Sequence, residues 1–250
     1  MATAPIAIIL AAGKGKRMAS DLPKVLLPVC GRPMIRYVLD AVRAAGIERT
    51  VIVVGYRAED VRRELAGESG IEFAEQTEQL GTGHAVMQCR DQLEKCDGPV
   101  LILAGDSPMV QFSSLQALLA EFVARQPACL LGTATKPNPA GLGRVVRDSA
   151  GNFDAIVEEK DATPAQQAIT EVNMSTYVFH VPDLLWALQQ LTADNAQGEY
   201  YLTDCPGVLK KAGRPILAVN ALQPIEALSI NTVDELKVVE AEMMNQVRCP

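Results

Sequence analysis

Apolar runs of strand length recur along the first half of the chain, at Ile6–Leu10 and at residues 50–54, 71–74, 100–103 and 129–134. Helical patterns separate them. Residues 34–46, MIRYVLDAVRAAG, put Ile35, Val38, Leu39 and Val42 on one face and stop at Gly46, as expected of a glycine C-terminus. Residues 113–124, SSLQALLAEFVA, open on a serine N-cap and carry apolar residues at 115, 118, 119 and 122. Alternating strands and helices predict a parallel sheet with helices on both faces, and unbroken apolar strands fit a sheet covered on both sides.

The second half is less regular. Strands are expected at residues 143–147, Phe153–Val157, 172–179 and Ile216–Val219, and helices at 182–191, 202–211 and 233–247. Thr232 and Glu235 have capping-box spacing at the start of the last helix. No repeat, low-complexity segment or long linker interrupts the chain. The pattern predicts one α/β domain over residues 1–250, with an antiparallel elaboration after residue 135.

Composition narrows the function. The net charge of −7 argues against wrapping nucleic acid, but leaves room for a small anionic ligand, whose affinity depends on local charge. No apolar run approaches the ~18–20 residues that span a bilayer, and no targeting segment is visible, so a soluble cytoplasmic protein without membrane partners is expected. The six cysteines, at 30, 89, 96, 129, 205 and 249, form no CxxC pair, and there are only two histidines. A zinc site is therefore not expected, and the cysteines read as small buried apolar residues in a reducing compartment.

Three clusters carry chemistry. The first, LAAGKGKRM at 10–18, follows a strand. Gly13 and Gly15 allow a sharp turn with backbone N–H groups close to an anion, while Lys14, Lys16 and Arg17 add positive charge. This is neither GxGxxG, since Met18 holds the third glycine's place, nor GxxxxGK[ST]. Downstream, Lys24 in DLPKVLLP follows Pro23, and a lysine anchored beside a phosphate loop would hold a polyphosphate. The second cluster is EQTEQLGTGHAV. Gln76 and Gln79 each offer a donor and an acceptor that match the edge of uracil or thymine, and Gly81 and Gly83 let backbone approach a ring or a phosphate. The third is VLILAGDSPMV, which puts Asp106 at the C-terminal end of a buried strand, where ligands bind in open α/β sheets. Against a triphosphate, that aspartate would be a magnesium ligand. Glu158, Asn173 and Asn231 are polar residues following or breaking apolar runs, and suit sugar hydroxyls as well as they suit turns.

These motifs, together with GLGR, VEEKDA, NAQGEYYLTD and INT, occur in one order across about residues 6–235. The chain so resembles the sugar-phosphate nucleotidyltransferase family, most closely the branch that makes UDP-N-acetylglucosamine and pyrophosphate from N-acetylglucosamine 1-phosphate and UTP. The resemblance implies a Rossmann-like, mainly parallel mixed sheet with a smaller sugar-binding lobe. It would divide the chain into a nucleotide part at about 1–135, a sugar part at about 136–231 and a terminal helix at about 232–248. It also implies roles: Leu10, Ala11, Ala12, Gly13, Gln76, Gln79, Gly81 and Thr82 for the nucleotide, and Arg17 and Lys24 for its phosphates and catalysis. Asp106 and Asn231 would hold Mg2+, and Gly143, Glu158, Asn173, Tyr201 and Thr203 would grip the sugar.

The sequence departs from that pattern at Lys16, where threonine or serine is usual, at Ser107, where an apolar residue is usual, and at Ser175, where glycine is usual. The hexapeptide repeats of the acetyltransferase domain that accompanies this activity in the bifunctional bacterial enzyme are absent from residues 1–250, and no assembly state is implied. A nicotinamide-dependent dehydrogenase lacks support, because the third glycine and the downstream acid are missing. Two alternatives stay open: a transferase for another sugar 1-phosphate or for TTP, and a relative that binds a nucleotide-sugar without turning it over.

Overall fold

The computed structural model describes residues 4–14, 20–96, 98–195, 197–228, 230 and 232–246. In chain order its strands are β1 (Ile6–Leu10), β2 (Pro28–Val29), β3 (Arg32–Pro33), β4 (Arg49–Val54), β5 (Ile71–Glu75), β6 (Pro99–Ala104), β7 (Cys129–Thr135), β8 (Arg144–Arg147), β9 (Phe153–Val157), β10 (Glu171–His180) and β11 (Ile216–Val219). The helices are α1 (Met34–Ala44), α2 (Ala58–Glu64), α3 (Thr82–Met87), α4 (Arg90–Leu93), α5 (Phe112–Arg125), α6 (Pro164–Gln167), α7 (Val181–Leu188), α8 (Cys205–Lys211) and α9 (Val233–Asn245).

The main sheet runs β11-β7-β10-β6-β1-β4-β5, and the β8–β9 hairpin joins it through β10. β1 lies parallel to β4 on one side and to β6 on the other, with Leu10 level with Val53 and with Ala104. From β1 the chain builds outward through β4 and β5, then returns to the opposite side as β6. The strand order thus reverses at β1, and the crevice beyond the carboxyl ends of β1 and β6 is where ligands bind in such sheets. β10 runs antiparallel to both β6 and β7, whereas β11 is parallel to β7. The expected antiparallel elaboration is therefore β10 with the β8–β9 hairpin.

The strands bury alternate residues on the two faces of the sheet. Ile8, Val51, Val53 and Ile102 pack on one side with residues of α3, α7 and α8. Ala7, Ile9, Ile52, Leu101 and Leu103 pack on the other with α1, α2 and α5. Ile35, Val38, Leu39 and Val42 of α1 are all in that second layer, as their spacing requires. A third cluster joins Val29 of β2 and Met34 and Tyr37 of α1 to Val239 and Met243 of α9.

Several local expectations are corrected. α5 begins at Phe112 with Gln111 as N-cap, not with a serine. The nearby Ser114 hydroxyl donates instead to buried Glu226, at 2.6 Å, and that carboxylate also receives the Gln111 N–H. The segment 202–211 splits into a 3-10 turn at Leu202–Asp204 and α8, because Pro206 sits at the helix start. Thr232 accepts from the Glu235 N–H, which is one half of a capping box. The sequence pattern missed α2, which buries only Ala58 and Val61, too few residues for a helical period to show. Cys89, Cys96, Cys129 and Cys205 are free and buried as expected, and burial pushes the Cys89, Cys129 and Cys205 thiols well up, away from the thiolate. Cys30 differs. It is disulfide-bonded, and it occupies a left-handed turn position (φ +49°) between β2 and β3, part-buried against the third cluster. Cys249 lies outside the described residues.

The two glycines of GTG are needed for a reason internal to the fold. Gly81 has φ +107°, and a Cβ there would stand 2.5 Å from the Tyr200 carbonyl oxygen. A Cβ on Gly83 would stand 2.6 Å from Leu191 and 3.0 Å from the same oxygen. The close approach is therefore to the protein's own segment around Tyr200. Replacing Gly81 with alanine is expected to cost about 2–4 kcal/mol, from left-handed strain plus overlap, and to lower Tm by about 5–15 °C. A thermal melt within 2 °C of wild type would contradict that packing role.

Candidate active site

The glycine loop begins where β1 ends and is tied to both neighbouring strands. The Ala11 N–H donates to Val53 O at 2.9 Å, the Tyr56 N–H to Ala12 O at 3.1 Å, and the Gly105 N–H to Leu10 O at 2.9 Å. Gly13 stands in open space, where an added Cβ would meet nothing within 4 Å. Lys14 Nζ lies 5.0 Å from the centroid of the Tyr56 ring. Residues 15–19, among them Gly15, Lys16 and Arg17, lie outside the described residues, as does Asn231.

Lys24 and Asp106 come together across 82 positions of sequence and form an ion pair. Each is held by its backbone. Lys24 starts a 3-10 turn in which the Leu26 N–H donates to Pro23 O, at 2.9 Å, and Val25 is buried beneath it. Asp106 follows Gly105, whose missing side chain lets β6 press against β1. A Cβ on Gly105 would stand 2.9 Å from Leu10 O and 3.1 Å from both Ile9 and Val25. The aspartate thus meets an ammonium group rather than capping a helix.

The amide cluster is more committed to the fold than the sequence suggested. Gln76 is 3% exposed, and its Nε2 lies 3.0 Å from Gly81 O and 3.1 Å from His84 Nδ1. One Gln76 N–H is spent on Gly81 O, and the second reaches His84 Nδ1 as a donor only in the tautomer that leaves that nitrogen unprotonated; the Gln76 side-chain carbonyl oxygen is left for a base edge. Gln79 Nε2 donates to Gln76 O at 3.2 Å and keeps a second N–H. The Thr82 hydroxyl accepts from the Leu202 N–H at 3.0 Å, while the Tyr200 N–H donates to Leu80 O at 2.8 Å. These bonds lace GTG to NAQGEYYLTD. His84 stands in this lattice with an amide nitrogen at each ring nitrogen, Gln76 on one side and Gln88 at 3.1 Å on the other, and a neutral ring accepts from one of the two.

A second polar group gathers around Glu158. The Thr203 hydroxyl donates to its carboxylate, and a Cβ on Gly143 would stand 3.5 Å from either carboxylate oxygen. Burial raises the Glu158 pKa; the Thr203 hydrogen bond opposes this, and the charges of Asp204 and Asp161 add to it. Tyr201 lies nearby, its hydroxyl accepting from Gln197 Nε2 at 2.5 Å. Asn173 is placed differently. It is 4% exposed, it donates from Nδ2 to the Tyr177 hydroxyl at 2.7 Å, and its Oδ1 accepts the Ser175 N–H at 3.3 Å. Its amide is engaged with β10 itself.

The linings show what shares a space. A cavity of about 300 Å³ is lined by Leu10, Ala11, Ala12, Gly13, Lys24, Gln76, Gln79, Gly81, Thr82 and Asp106. It therefore brings together every described residue that the sequence assigned to the nucleotide, its phosphates and the metal. A neighbouring cavity of about 540 Å³ is lined by Glu158, Lys160, Tyr201 and Thr203, and shares Leu10, Thr82, Ser175 and Glu199 with the first. Asn173 lines neither. It faces a third cavity, of about 680 Å³, with Lys136 and Asp106. Glu199 was missed as a candidate, although it stands inside the NAQGEYYLTD motif. Asn195 Oδ1 accepts the N–H groups of Gln197 and Glu199, both at 3.2 Å, and so shapes that loop.

Residues 7–202 match the family model of the MobA-like NTP transferase domain. The chain belongs to the MobA-like NTP transferase family. Within this family it is 46% identical over 242 residues to the bifunctional protein GlmU of Geobacillus sp. (strain WCH70), covering 97% of this chain and 52% of that protein. It is 43% identical to the GlmU of Lactococcus lactis subsp. lactis (strain IL1403), with the same coverage. The chain spans about half the length of the curated relatives it matches. Two solved structures share the fold. A Bacillus anthracis protein described as a glucose-1-phosphate thymidylyltransferase gives a TM-score of 0.76 at 19% identity, over 96% of this chain and 95% of that one. An apo UDP-glucose pyrophosphorylase gives 0.79 at 14% identity, over 98% of this chain and 99% of that one. The mixed, mainly parallel Rossmann-like sheet is thus common to nucleotidyltransferases of this type. Among the described residues, no helix is long and apolar enough to cross a membrane.

Proposed function

We propose that this chain is a uridylyltransferase that joins N-acetylglucosamine 1-phosphate to UTP, releasing UDP-N-acetylglucosamine and pyrophosphate. One observation carries the reading: the Lys24–Asp106 pair lies in the cavity that Leu10–Gly13 line, next to a second cavity with a carboxylate and hydroxyls suited to a sugar. The 41–46% identity to GlmU proteins supports the choice of substrates.

A phosphate oxygen of the sugar 1-phosphate attacks the α-phosphorus in line, and pyrophosphate departs. The second pKa of a phosphate monoester is ~6, so the nucleophile is already mostly ionised near neutrality and needs no general base. What the protein supplies is positioning and positive potential. Lys24, with buried Val25 fixing its backbone, sets an ammonium group where phosphate oxygens gather. The loop that begins at Leu10 offers backbone N–H groups, and Arg17 adds charge to it. The Gln76 carbonyl oxygen and the free Gln79 N–H read the base edge. The Glu158 carboxylate and the Thr203 hydroxyl oxygen accept hydrogen bonds from sugar hydroxyls.

A divalent cation suits this donor set. Magnesium takes one or two protein oxygens and completes its shell with phosphate and water, and the Asp106 carboxylate lies in the same cavity as Lys24. Asp106, with Asn231, would hold Mg2+, which supplies charge neutralisation to the phosphates.

A panel of four nucleoside triphosphates against several sugar 1-phosphates, followed by pyrophosphate release, tests the reading. UTP with N-acetylglucosamine 1-phosphate is expected to exceed every other pair in kcat/KM. Pyrophosphate from no pair, with UDP-N-acetylglucosamine still binding, would make the chain a binding protein instead. A faster rate with TTP or another sugar would move the substrate.

The raised Glu158 pKa gives a pH prediction. A carboxyl whose folded pKa lies above its unfolded value binds more protons when folded, so stability falls as pH rises from the ordinary carboxylate range through the folded pKa. Glu158→Gln should therefore raise Tm at pH 8, and the gain should vanish at pH 4. The same change removes a charged acceptor for the sugar, and KM for the sugar 1-phosphate should rise by about 10-fold or more. An unchanged KM would remove Glu158 from the sugar site.

A further inference from the structure

We propose that Ser175 is a substrate-binding contact, whose hydroxyl donates a hydrogen bond to the phosphate of the incoming sugar 1-phosphate where the nucleotide and sugar cavities meet. The inference rests on the function proposed above and adds a residue that it does not use.

The observation lies in β10. Its pairing with β7 is regular as far as Asn173 opposite Thr133 and resumes at Thr176 opposite Gly132, so Met174 and Ser175 bulge out of the ladder. Ser175 has φ +50°, the left-handed region that a residue with a side chain enters only at a cost. The surrounding bonds over-determine that conformation. The Ser175 N–H donates to Asn173 Oδ1 at 3.3 Å, Asn173 Nδ2 donates to the Tyr177 hydroxyl at 2.7 Å, and the Thr176 hydroxyl donates to Met174 O at 3.2 Å. None of these uses the Ser175 hydroxyl. That hydroxyl has no hydrogen-bond partner within the protein among the described residues, and the side chain is exposed.

Its position gives the hydroxyl a use. Ser175 lines the nucleotide cavity with Lys24 and Asp106, the sugar cavity with Glu158 and Thr203, and the third cavity as well. Bulges beside active sites re-aim a side chain, and this one aims a short donor at the boundary between two substrates. In a reaction that joins a sugar phosphate to a nucleotide, the group crossing that boundary is the sugar's phosphate. Glycine would satisfy the backbone here without strain, so what serine adds is the hydroxyl.

Steady-state kinetics of wild type, Ser175→Gly and Ser175→Ala, with KM measured separately for sugar 1-phosphate and UTP and Tm measured for each, test the inference. Both variants should raise KM for the sugar 1-phosphate about 10-fold, the scale of one hydrogen bond to a charged group, with KM for UTP within twofold of wild type. Ser175→Gly should also raise Tm, because it relieves the left-handed strain, so its loss of substrate affinity would not be a loss of fold. The inference is overturned if both variants keep KM for the sugar 1-phosphate within twofold, or if KM for UTP rises in parallel. Wild-type protein that releases no pyrophosphate with any sugar 1-phosphate would overturn the functional reading and this inference together. That result is distinct from active wild type with indifferent variants.

Discussion

Asp106→Asn is expected to lower pyrophosphate release by about 10³-fold or more, while shifting Tm by less than about 3 °C. The argument is geometric. β6 ends at Ala104, level with Leu10 of β1, and Gly105 allows the two strand ends to touch, so Asp106 is carried into the crevice where the strand order reverses. Asparagine keeps the shape and one acceptor oxygen but loses the charge, and with it the hard anionic ligand that a magnesium ion requires. The side chain is 25% exposed and makes no part of the core, so stability should scarcely register the change. Activity near the wild-type level would place the divalent ion elsewhere or dispense with it. A matching loss of helical signal would show that the residue serves the fold.

Lys24→Ala should lower kcat by about 10²-fold or more, the scale of losing one preorganised electrostatic stabiliser. Pro23 and the turn at Lys24–Leu26 hold the lysine backbone, and the ammonium group lies beside Asp106 with only 14% of the side chain exposed. Charge fixed in such a place acts without reorganisation as the two phosphates approach. Lys24→Arg should restore less than about a tenth of the lost rate, because the planar fork cannot occupy the place of a compact ammonium group. Stopped-flow or steady-state rates at saturating substrates separate the outcomes. An unchanged kcat with a raised KM for UTP would reduce Lys24 to a binding residue.

Much of this arrangement was legible in the sequence, and for identifiable reasons. β1 was bounded correctly because a buried apolar run ends where the chain leaves the core, and the part-buried β9 and β11 because Asn152 and Glu158 flank the one and Pro215 and Asn220 the other. α1 was legible because Ile35, Val38, Leu39 and Val42 share a face and Gly46, at φ +92°, ends it. Asp106 stood out because a charge after four buried apolar residues has few places to go. What could not be read were partnerships at long range. Nothing near Gln76 announces that its amide nitrogen is held against Gly81 and His84. Nor does the spacing of Gly81 and Gly83 reveal that Tyr200, more than a hundred residues on, presses against them. Ser175 could be seen as unusual, but its left-handed bulge and its place between cavities are tertiary facts.

The central claim is that the strand end at Leu10–Gly13, Lys24 and Asp106 enclose one nucleotide together with a divalent ion. The most direct measurement is a crystal structure of the Asp106-containing protein grown with UTP and Mn2+, with anomalous data collected at the manganese edge. A single anomalous peak bound by the Asp106 carboxylate, with the triphosphate beside Lys24, is the expected result. A triphosphate lying outside that cavity, or manganese bound away from Asp106, would contradict the account.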